Sequence, residues 1–561
     1  MKKEIVTLSI ILIMLSLIFT SIFIFKKDVE KVNKNISVIL ETNEGNIESN
    51  TFPSKEDYEY LSTECKNTSD NINTTFNEET WKLNLNVEEE RIDGKFNCTV
   101  HFKENIKPNE PVLDENMIPV YYSEEDSTWK VADKENKSTE HKWYDYEEKM
   151  WANSVTVKSD KREEYKTGSL GTEIKMEDIL TMQVWIPRYK YKVWNYNLDG
   201  TKTSEPQEIE IKFEKGTNTT GDIKCTDNIQ GESGDGTSEV CTINNEECSD
   251  NLCNGAYYTH PAFTFGSVDL TGFWVGKFEV SSDINCIPLN YSTLGEDCNL
   301  STINPLTKPN TTSWRGAPVS TFFTNIKKMD SNGNIYGLSS NVDSHMIKNI
   351  EWGAVAYLSH SKYGTCTNGI CKEIGMNNNS NYITGCGAIS GSSESTTCNS
   401  YETELGESAS TTGNIYGVYD MSGGAHDAVM ANTVNKDASK LMSGLSLSEN
   451  SGYSGIVYES GKYSNYVGDF SYPEEKYYDK YSFSSSGTNI IRSKLGDSIK
   501  EVVVSKQLGW YNDYSLVASA GYPWIVRGGY YIQKSNTGIF CSRNFYGYKY
   551  EPVSSRIIIN N

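Results

Sequence analysis

The sequence predicts an α+β protein with a hydrophobic N-terminal segment, a small β-rich module and a larger C-terminal domain. Residues 5–25 form a run without any charged residue. Residues 81–87 alternate apolar and polar side chains, which is typical of a half-buried strand. Residues 350–359 instead carry apolar side chains at helical spacing. With 561 residues, the chain is long enough for two or three domains.

The uncharged run at residues 5–25 predicts a transmembrane helix. At about 1.5 Å per residue it would span roughly 30 Å, the thickness of the hydrocarbon core. Lys26 and Lys27 follow directly, where a signal peptide would carry small residues before its cleavage site. The sequence therefore favours an uncleaved anchor. The lysines after the run, taken alone, would place the rest of the chain in the cytoplasm.

The cysteines indicate the opposite side of the membrane. Twelve of the 13 fall into local groups, and Cys541 stands apart. The spacing predicts four disulfide pairs: Cys65 with Cys98, Cys286 with Cys298, Cys366 with Cys371, and Cys386 with Cys398. Four more share one insertion: Cys225, Cys241, Cys248 and Cys253. Because no C-x-x-C motif occurs and no His has zinc-finger spacing, disulfides are favoured over zinc. We therefore expect a single-pass cell-membrane protein with an extracellular body.

The predicted organisation has four parts. Residues 1–28 form the anchor, and residues 29–105 form a small β-sandwich that acts as a stalk. Residues 106–175 are a polar connector whose three tryptophans are expected to pack it onto the next domain. Residues 176–561 form the C-terminal domain, interrupted by insertions rich in Cys, Ser and Asn. A net charge of −23 argues against a nucleic-acid partner, which would require a positive surface.

Five motifs follow one another in the C-terminal domain. They are W-I-P at residues 185–187, K-F-E-V at 277–280, A-V-A-Y at 354–357, Y-D-M at 419–421 and R-G-G at 527–529. Their order resembles the formylglycine-generating-enzyme-like (sulfatase-modifying) branch of the C-type lectin fold. The stretch S-N-T-G-I-F at residues 535–540, with the closing S-R-I at 555–557, also looks like the C-terminal segments of variable surface proteins made by diversity-generating retroelements. The resemblance implies a C-type-lectin-like domain, a fold that serves both enzymes and ligand-binding proteins.

The resemblance also implies specific chemistry at two places. Enzymatic relatives bind copper through two cysteines five residues apart, shortly after R-G-G. Residues 530–540 contain no cysteine and Cys541 is alone, so no catalytic residue and no enzymatic activity are predicted. Some relatives bind calcium at the loop that follows Y-D-M. There Asp427 and Asn432 could still supply oxygen ligands, while His426 is expected to be an ordinary loop residue.

The interval after R-G-G instead predicts a binding surface. Candidate inward residues are Ile532, Ile539, Cys541 and Phe545. The candidate ligand-binding residues are Tyr530, Tyr531, Ser535, Asn536, Asn544, Tyr546, Tyr548 and Tyr550. Tyr, Ser and Asn are the residues that binding paratopes use. We expect a membrane-anchored extracellular adhesion protein whose ligand is a protein or a glycan. The alternatives are a sulfatase-modifying-type enzyme, a pilin-like assembly subunit, or a Tyr-rich surface without a ligand.

Overall fold

A computed structural model describes residues 33–40, 52–66, 72–87, 96–196, 205–232, 236–248, 252–284, 296–505 and 507–561. The chain divides into two compact units, Met1–Lys107 and Pro108–Asn561.

The first unit consists of strands in its described part. They are β1 Asn33–Leu40, β2 Tyr58–Lys66, β3 Ile72–Asn77, β4 Lys82–Val87 and β5 Phe96–Glu104. One sheet has the order β1-β5-β2, and β3 pairs with β4 in a hairpin. Leu83, Val100 and Phe102 are buried in a small aromatic core. Cys65 and Cys98 stand directly opposite each other in the β2–β5 register.

The second unit contains the remaining described elements. Its strands are β6 Ile118–Ser123, β7 Thr128–Val131, β8 Asn153–Val157, β9 Ile179–Pro187, β10 Tyr189–Lys192, β11 Ile211–Phe213, β12 Ile223–Asp227, β13 Glu239–Ile243, β14 Glu246–Glu247, β15 Tyr257–Thr259, β16 Thr264–Phe265, β17 Val268–Asp269, β18 Gly272–Gly276, β19 Ser281–Ser282, β20 Pro305–Leu306, β21 Asp343–Met346, β22 Cys366–Thr367, β23 Ile370–Cys371, β24 His426–Thr433, β25 Met442–Gly444, β26 Gly455–Glu459, β27 Lys462–Tyr466, β28 Asp479–Tyr481, β29 Val503–Ser505, β30 Leu508–Gly509, β31 Trp524–Arg527, β32 Ser542–Phe545, β33 Val553–Ser555 and β34 Ile557–Asn560. Its α-helices are α1 Arg162–Lys166, α2 Val319–Lys327, α3 Asn349–Ser359 and α4 Glu404–Glu407. Short 3-10 turns occupy Pro261–Phe263, Glu296–Asn299, Lys328–Asp330, Glu475–Tyr477, Ile490–Arg492, Trp510–Asn512 and Tyr531–Asn536.

The larger sheet of this unit has seven strands in the order β21-β34-β18-β9-β8-β6-β7. Strand β9 is buried along nearly its whole length. Its mostly apolar sequence, in which Ile, Thr, Val and Trp make up more than half of the residues, suits a strand that is covered on both faces. Strands β6 to β8 come from the predicted connector, and Trp129 and Trp151 from the same segment are buried. The C-terminal strand β34 lies between β21 and β18, so the chain end is part of this sheet.

The smaller sheet has the order β28-β24-β31-β32, and β33 also pairs with β24. Strand β24 pairs antiparallel with β31 and parallel with β33. Helix α3 is buried at every residue, as expected for a helix that is apolar on all sides. The indole N–H of Trp352 in α3 donates to the carbonyl oxygen of Ile539 at 2.8 Å. The helix therefore supports the segment that follows R-G-G.

The predicted α+β class is wrong, because the described chain is mostly β, with 33% strand and 11% helix. The segment at residues 350–359 does form a helix, but few others do. Ser, Thr, Asn and Gly are abundant elsewhere, and they favour turns and caps over helix interiors.

The predicted single-pass membrane arrangement is also corrected. Among the described residues, no helix combines the length and the apolar character that crossing a bilayer requires. The predicted anchor at residues 5–25 lies outside the described residues.

Four disulfides lie in the described part of the chain. Cys366 pairs with Cys371, and Cys386 pairs with Cys398, as the spacing predicts. Within the insertion, the bridges are Cys225–Cys241 and Cys248–Cys253. Cys298 is disulfide-bonded, and its predicted partner Cys286 lies outside the described residues. These bridges indicate an oxidising, extracellular-type environment.

Candidate binding surface

The R-G-G segment forms a buried corner at the end of β31. Gly528 and Gly529 have φ angles of +78° and +70°, a backbone region that glycine adopts without the steric penalty of a side chain. The fully buried guanidinium of Arg527 donates to the carbonyl oxygens of Asp497 and Ser498, at 3.2 and 3.3 Å. It also donates to the side-chain oxygen of Asn349 at 3.2 Å. Arg527 is therefore positioned mainly by carbonyl groups and anchors the corner.

The strand register sorts the following residues onto two faces. Val526 stands between Ala428 on β24 and Arg543 on β32. Because opposed residues share a face and side chains alternate along a strand, His426, Arg543 and Phe545 point to the same side. Arg527 and Asn544 project from the other side. The face that carries His426 and Arg543 is the one beside which the tyrosines gather.

Four tyrosines form a continuous contact series, which we call the tyrosine column: Tyr522, Tyr546, Tyr548 and Tyr550. Tyr522 stacks on Tyr546 with ring centroids 4.4 Å apart. Tyr548 lies 5.6 Å from Tyr546 and 5.6 Å from Tyr550, and it is stacked on Tyr550. Tyr522 is 40% exposed, and the other three are half-buried. The column is thus ordered by its own contacts and still reaches solvent.

Phe545 supports the column from below. Its ring lies 5.9 Å from the ring of Tyr548 and 6.4 Å from that of Tyr550. Partial burial raises the pKa of Tyr548 to about 12, and it also raises the pKa of Tyr546. Both phenols therefore remain protonated at physiological pH and can donate hydrogen bonds.

A second aromatic group consists of Tyr530, Tyr531, Tyr382 and His426. Tyr531 contacts Tyr382 at 4.9 Å, and Tyr530 contacts His426 at 4.9 Å. The hydroxyl of Tyr382 donates to the carboxylate of Glu551 at 3.1 Å. Glu551 follows Tyr550 directly, so this bond ties the second group to the end of the column. We call the column and this group together the tyrosine surface.

Arg315 completes the second group. Its guanidinium lies 3.6 Å from the centre of the Tyr382 ring and pairs with Glu551. A guanidinium stacked on an aromatic face and bound to a carboxylate fixes both partners in place. The negative charge of Glu551 is therefore balanced by the positive charge of Arg315.

The turn at Tyr531–Asn536 departs from the expected strand alternation. It is a 3-10 turn that is kinked at Lys534, where φ is +52°. Ile532 was expected to point inward and is instead 45% exposed. Ser535 is exposed, and the amide of the half-buried Asn536 donates to the carbonyl oxygen of Asn512 at 2.9 Å. Ile539, Cys541 and Phe545 lie inside the protein.

The remaining predicted site residues have other partners. Asn544 is half-buried, and its amide donates to the Ser519 hydroxyl at 3.4 Å. Tyr522, Tyr382 and Arg315 belong to the surface but were not among the sequence candidates. Tyr522 lies only two residues before β31, so extending the Tyr-rich window in the N-terminal direction would have found it. Tyr382 and Arg315 reach the surface through long-range packing, which leaves no local sequence signal.

The calcium candidates are engaged with protein partners. The amide of Asn432 donates to the carbonyl oxygen of Met442 at 2.9 Å and accepts from its N–H at 3.1 Å. One oxygen of Asp427 pairs with the Arg556 guanidinium at 3.0 Å. Each side chain thus has a structural role of its own.

Two groups of described residues bring three metal-ligand atoms close together: His360 with Cys366 and Cys371, and Glu239 with Cys225 and Cys241. All four of these cysteines are in disulfides, so none is available as a thiolate ligand.

Cys541 and His426 are both buried and uncharged. Cys541 is the one cysteine outside a disulfide among the described side chains. Burial raises the pKa of its thiol to about 12, which disfavours the thiolate that binds copper. Burial, aided by the charge of Arg543, lowers the pKa of His426 to about 3. His426 is therefore neutral at physiological pH.

Comparison with models of known protein families finds no match for this chain, and no curated protein is significantly similar to it.

Proposed function

We propose that this chain is a ligand-binding or adhesion protein of an oxidising, extracellular-type environment. It binds an extracellular protein or glycan through the tyrosine surface and does not act as an enzyme. The observation that carries the proposal is the tyrosine column, whose rings pack on one another and still reach solvent.

The column has the physical properties of a binding surface. Tyr side chains offer a large contact area with few rotatable bonds, so little conformational entropy is lost when a ligand binds. Here that loss is reduced further, because Tyr548 is already held between Tyr546, Tyr550 and Phe545. The protonated phenols add hydrogen-bond donors whose directions are fixed before the ligand arrives.

The alternative of a sulfatase-modifying-type oxidase gains no support from Cys541. That chemistry requires paired thiolates, whereas this thiol is buried and held protonated. His426 offers no clear catalytic base either, because it is 5% exposed and its ring packs against Tyr530.

The test compares Tyr522→Ala with Tyr463→Ala. Tyr463 is a matched control: it is 37% exposed and contacts one tyrosine, Tyr458, at 4.8 Å on the separate β26–β27 hairpin. Both variants remove a comparable ring and should lower the thermal midpoint by similar, small amounts. Binding of the purified protein is measured on arrays of extracellular proteins and glycans.

We expect Tyr522→Ala to lose the array signals of the wild type and Tyr463→Ala to keep them. A combined Tyr546→Ala, Tyr548→Ala and Tyr550→Ala variant should lose them as well. The proposal fails if the column variants bind as the wild type does, or if the wild type binds nothing above background.

A further inference from the structure

The C-terminal segment that carries most of the tyrosine surface has a charge opposite to that of the whole chain. The net charge of the chain is −23, yet residues 514–561 contain five basic residues and one acidic residue. The acidic residue, Glu551, is paired with Arg315. The C-terminal segment is therefore positive within an acidic protein. From outside the segment, the carboxylate of Glu449 acts on Tyr546 and Tyr548 and helps to raise their pKa.

Two of the five basic residues have structural roles inside the protein. Arg527 is bound to carbonyl groups at the R-G-G corner, and Arg556 is paired with Asp427. The other three, Lys534, Arg543 and Lys549, form no ion pair with any residue in the described ranges. Carboxylates outnumber cations in this chain, so three unpaired cations in one short segment are unexpected.

The three cations belong to the chain segment that carries most of the tyrosine surface. The Arg543 guanidinium is 4.6 Å from the centre of the Tyr514 ring, on the sheet face that also carries His426. The backbone N–H of Tyr514 donates to the carbonyl oxygen of Asn536 at 3.4 Å, so the turn that bears Lys534 lies against the same tyrosine. Lys549 is exposed, and its neighbours in the sequence, Tyr548 and Tyr550, stack on each other.

The packing of the rings limits the kind of anion that fits. Tyr522 covers one face of Tyr546, and Tyr548 and Tyr550 cover one another. Ligands that bind by stacking, such as nucleic-acid bases, need open aromatic faces. This surface instead offers phenol hydroxyls, the Ser535 hydroxyl and three cations. Those groups suit carboxylates on a flexible chain, which are recognised by charge and hydrogen bonds.

We infer that the tyrosine surface binds an acidic polypeptide segment, whose carboxylates pair with Lys534, Arg543 and Lys549 while its backbone accepts hydrogen bonds from the tyrosine phenols. This inference rests on the proposed function and specifies the class of its ligand.

The test uses two triple variants that change the net charge equally. The surface variant combines Lys534→Gln, Arg543→Gln and Lys549→Gln. The control combines Lys137→Gln, Lys362→Gln and Lys436→Gln, three exposed lysines that are paired with Glu135, Glu147 and Glu232. The probes are fluorescein-labelled oligo-L-glutamate, oligo-L-glutamine and oligogalacturonate. Binding is followed by fluorescence anisotropy at low and at physiological ionic strength.

We expect the wild type to bind oligo-L-glutamate more tightly than oligogalacturonate and to ignore oligo-L-glutamine. The surface variant should bind oligo-L-glutamate roughly tenfold more weakly, because it loses three charge pairs with the ligand and each such pair contributes only modestly. The control variant should bind as the wild type does. Affinity should fall as salt is added, since Lys534 and Lys549 are exposed and Arg543 is only partly buried.

Three outcomes would overturn the inference. Equal weakening in both triple variants would show an effect of overall charge, and tighter binding of oligogalacturonate would identify an acidic glycan instead. Absence of oligo-L-glutamate binding, while Tyr522→Ala still loses its array signals, would refute the acidic polypeptide and leave the proposed function standing. The proposed function itself fails separately, when the tyrosine variants retain every array signal.

Discussion

Asp427 and Arg556 form a fully buried ion pair, with 3.0 Å between the carboxylate and the guanidinium. Asp427 belongs to β24 of the smaller sheet. The same guanidinium donates to the carbonyl oxygen of Gly276 in β18 of the larger sheet, at 2.9 Å. One side chain therefore connects the two sheets directly beneath the R-G-G corner.

Replacing Arg556 with Met should strongly destabilise the protein. The variant keeps most of the side-chain volume but leaves Asp427 buried without a counter-charge, which typically costs about 3–5 kcal/mol. The free energy of unfolding is measured by urea denaturation at neutral pH. Lys436→Met is the control: it breaks an exposed pair with Glu232 and should leave the free energy of unfolding nearly unchanged. Equal losses in the two variants would contradict a structural role for the buried pair.

Asp497 should make stability depend on pH. Burial, together with the nearby charge of Glu501, raises its pKa from 3.8 to about 7. The folded protein therefore binds more protons at this group than the unfolded chain does between these two values. The stability that the protonated Asp497 adds is fully present below the unfolded pKa of 3.8. It is lost as the pH rises through the folded pKa of about 7.

The Asp497→Asn variant isolates this contribution. Its stability relative to the wild type should increase between pH ~4 and pH ~7, because only the wild type must ionise a buried carboxyl. Titrating groups that do not interact with Asp497 cancel in the difference. Lost hydrogen bonds to the N–H groups of Lys494 and Ile499 would add a constant offset only. A difference that stays flat or declines across this range would refute the prediction.

Gly529→Ala should destabilise the R-G-G corner. The φ angle of Gly529 is +70°, and an added Cβ would lie 2.9 Å from the hydroxyl and 3.0 Å from the Cα of Thr537. Gly461 has φ +80° but open space around it, so Gly461→Ala is a matched control for the backbone penalty alone. That penalty is about 1–2 kcal/mol, and Gly529→Ala should exceed it in thermal or urea unfolding. Equal losses would mean that the Thr537 contact relaxes freely.

Local patterns predicted local structure well. The alternation at residues 81–87 corresponds to β4, the helical spacing at 350–359 corresponds to α3, and the glycines of R-G-G have the positive φ angles expected of them. Each of these follows from the chemistry of a few consecutive residues. The fold class was wrong because one clear helix was given too much weight in a chain rich in turn-forming residues.

Features that depend on distant contacts could not be predicted. Trp129 was expected to pack the connector onto the next domain, but its partner, the Tyr401 hydroxyl that accepts from its indole N–H at 3.1 Å, is 272 residues away and left no local signal. Tyr382 joins the tyrosine surface only because Glu551 and Tyr531 are packed beside it. Ile532 was placed inward because strand alternation was extended through what is a kinked 3-10 turn. In each case the burial of a side chain was decided by a neighbour far away in the sequence or by an unseen turn.

The disulfides Cys225–Cys241 and Cys366–Cys371 allow the effect of loop length on stability to be measured. Both join residues that are directly opposed on antiparallel strands, with Cα atoms 4.0 and 3.9 Å apart. They differ in the sequence separation that they close, 16 residues against 5. In the chain-entropy account, the longer loop is worth about 3 kcal/mol and the shorter about 2 kcal/mol.

Each bridge is removed by a paired Cys→Ser substitution, and unfolding is measured without reductant. The variant that lacks Cys225 and Cys241 should lose about 1 kcal/mol more than the variant that lacks Cys366 and Cys371, because its unfolded chain regains more freedom. The similar strand positions make strain and burial of the serines comparable. A larger loss of stability on removal of the shorter bridge would contradict this prediction. It would mean that contacts in the folded hairpins, and not loop entropy, determine how much each bridge stabilises the protein.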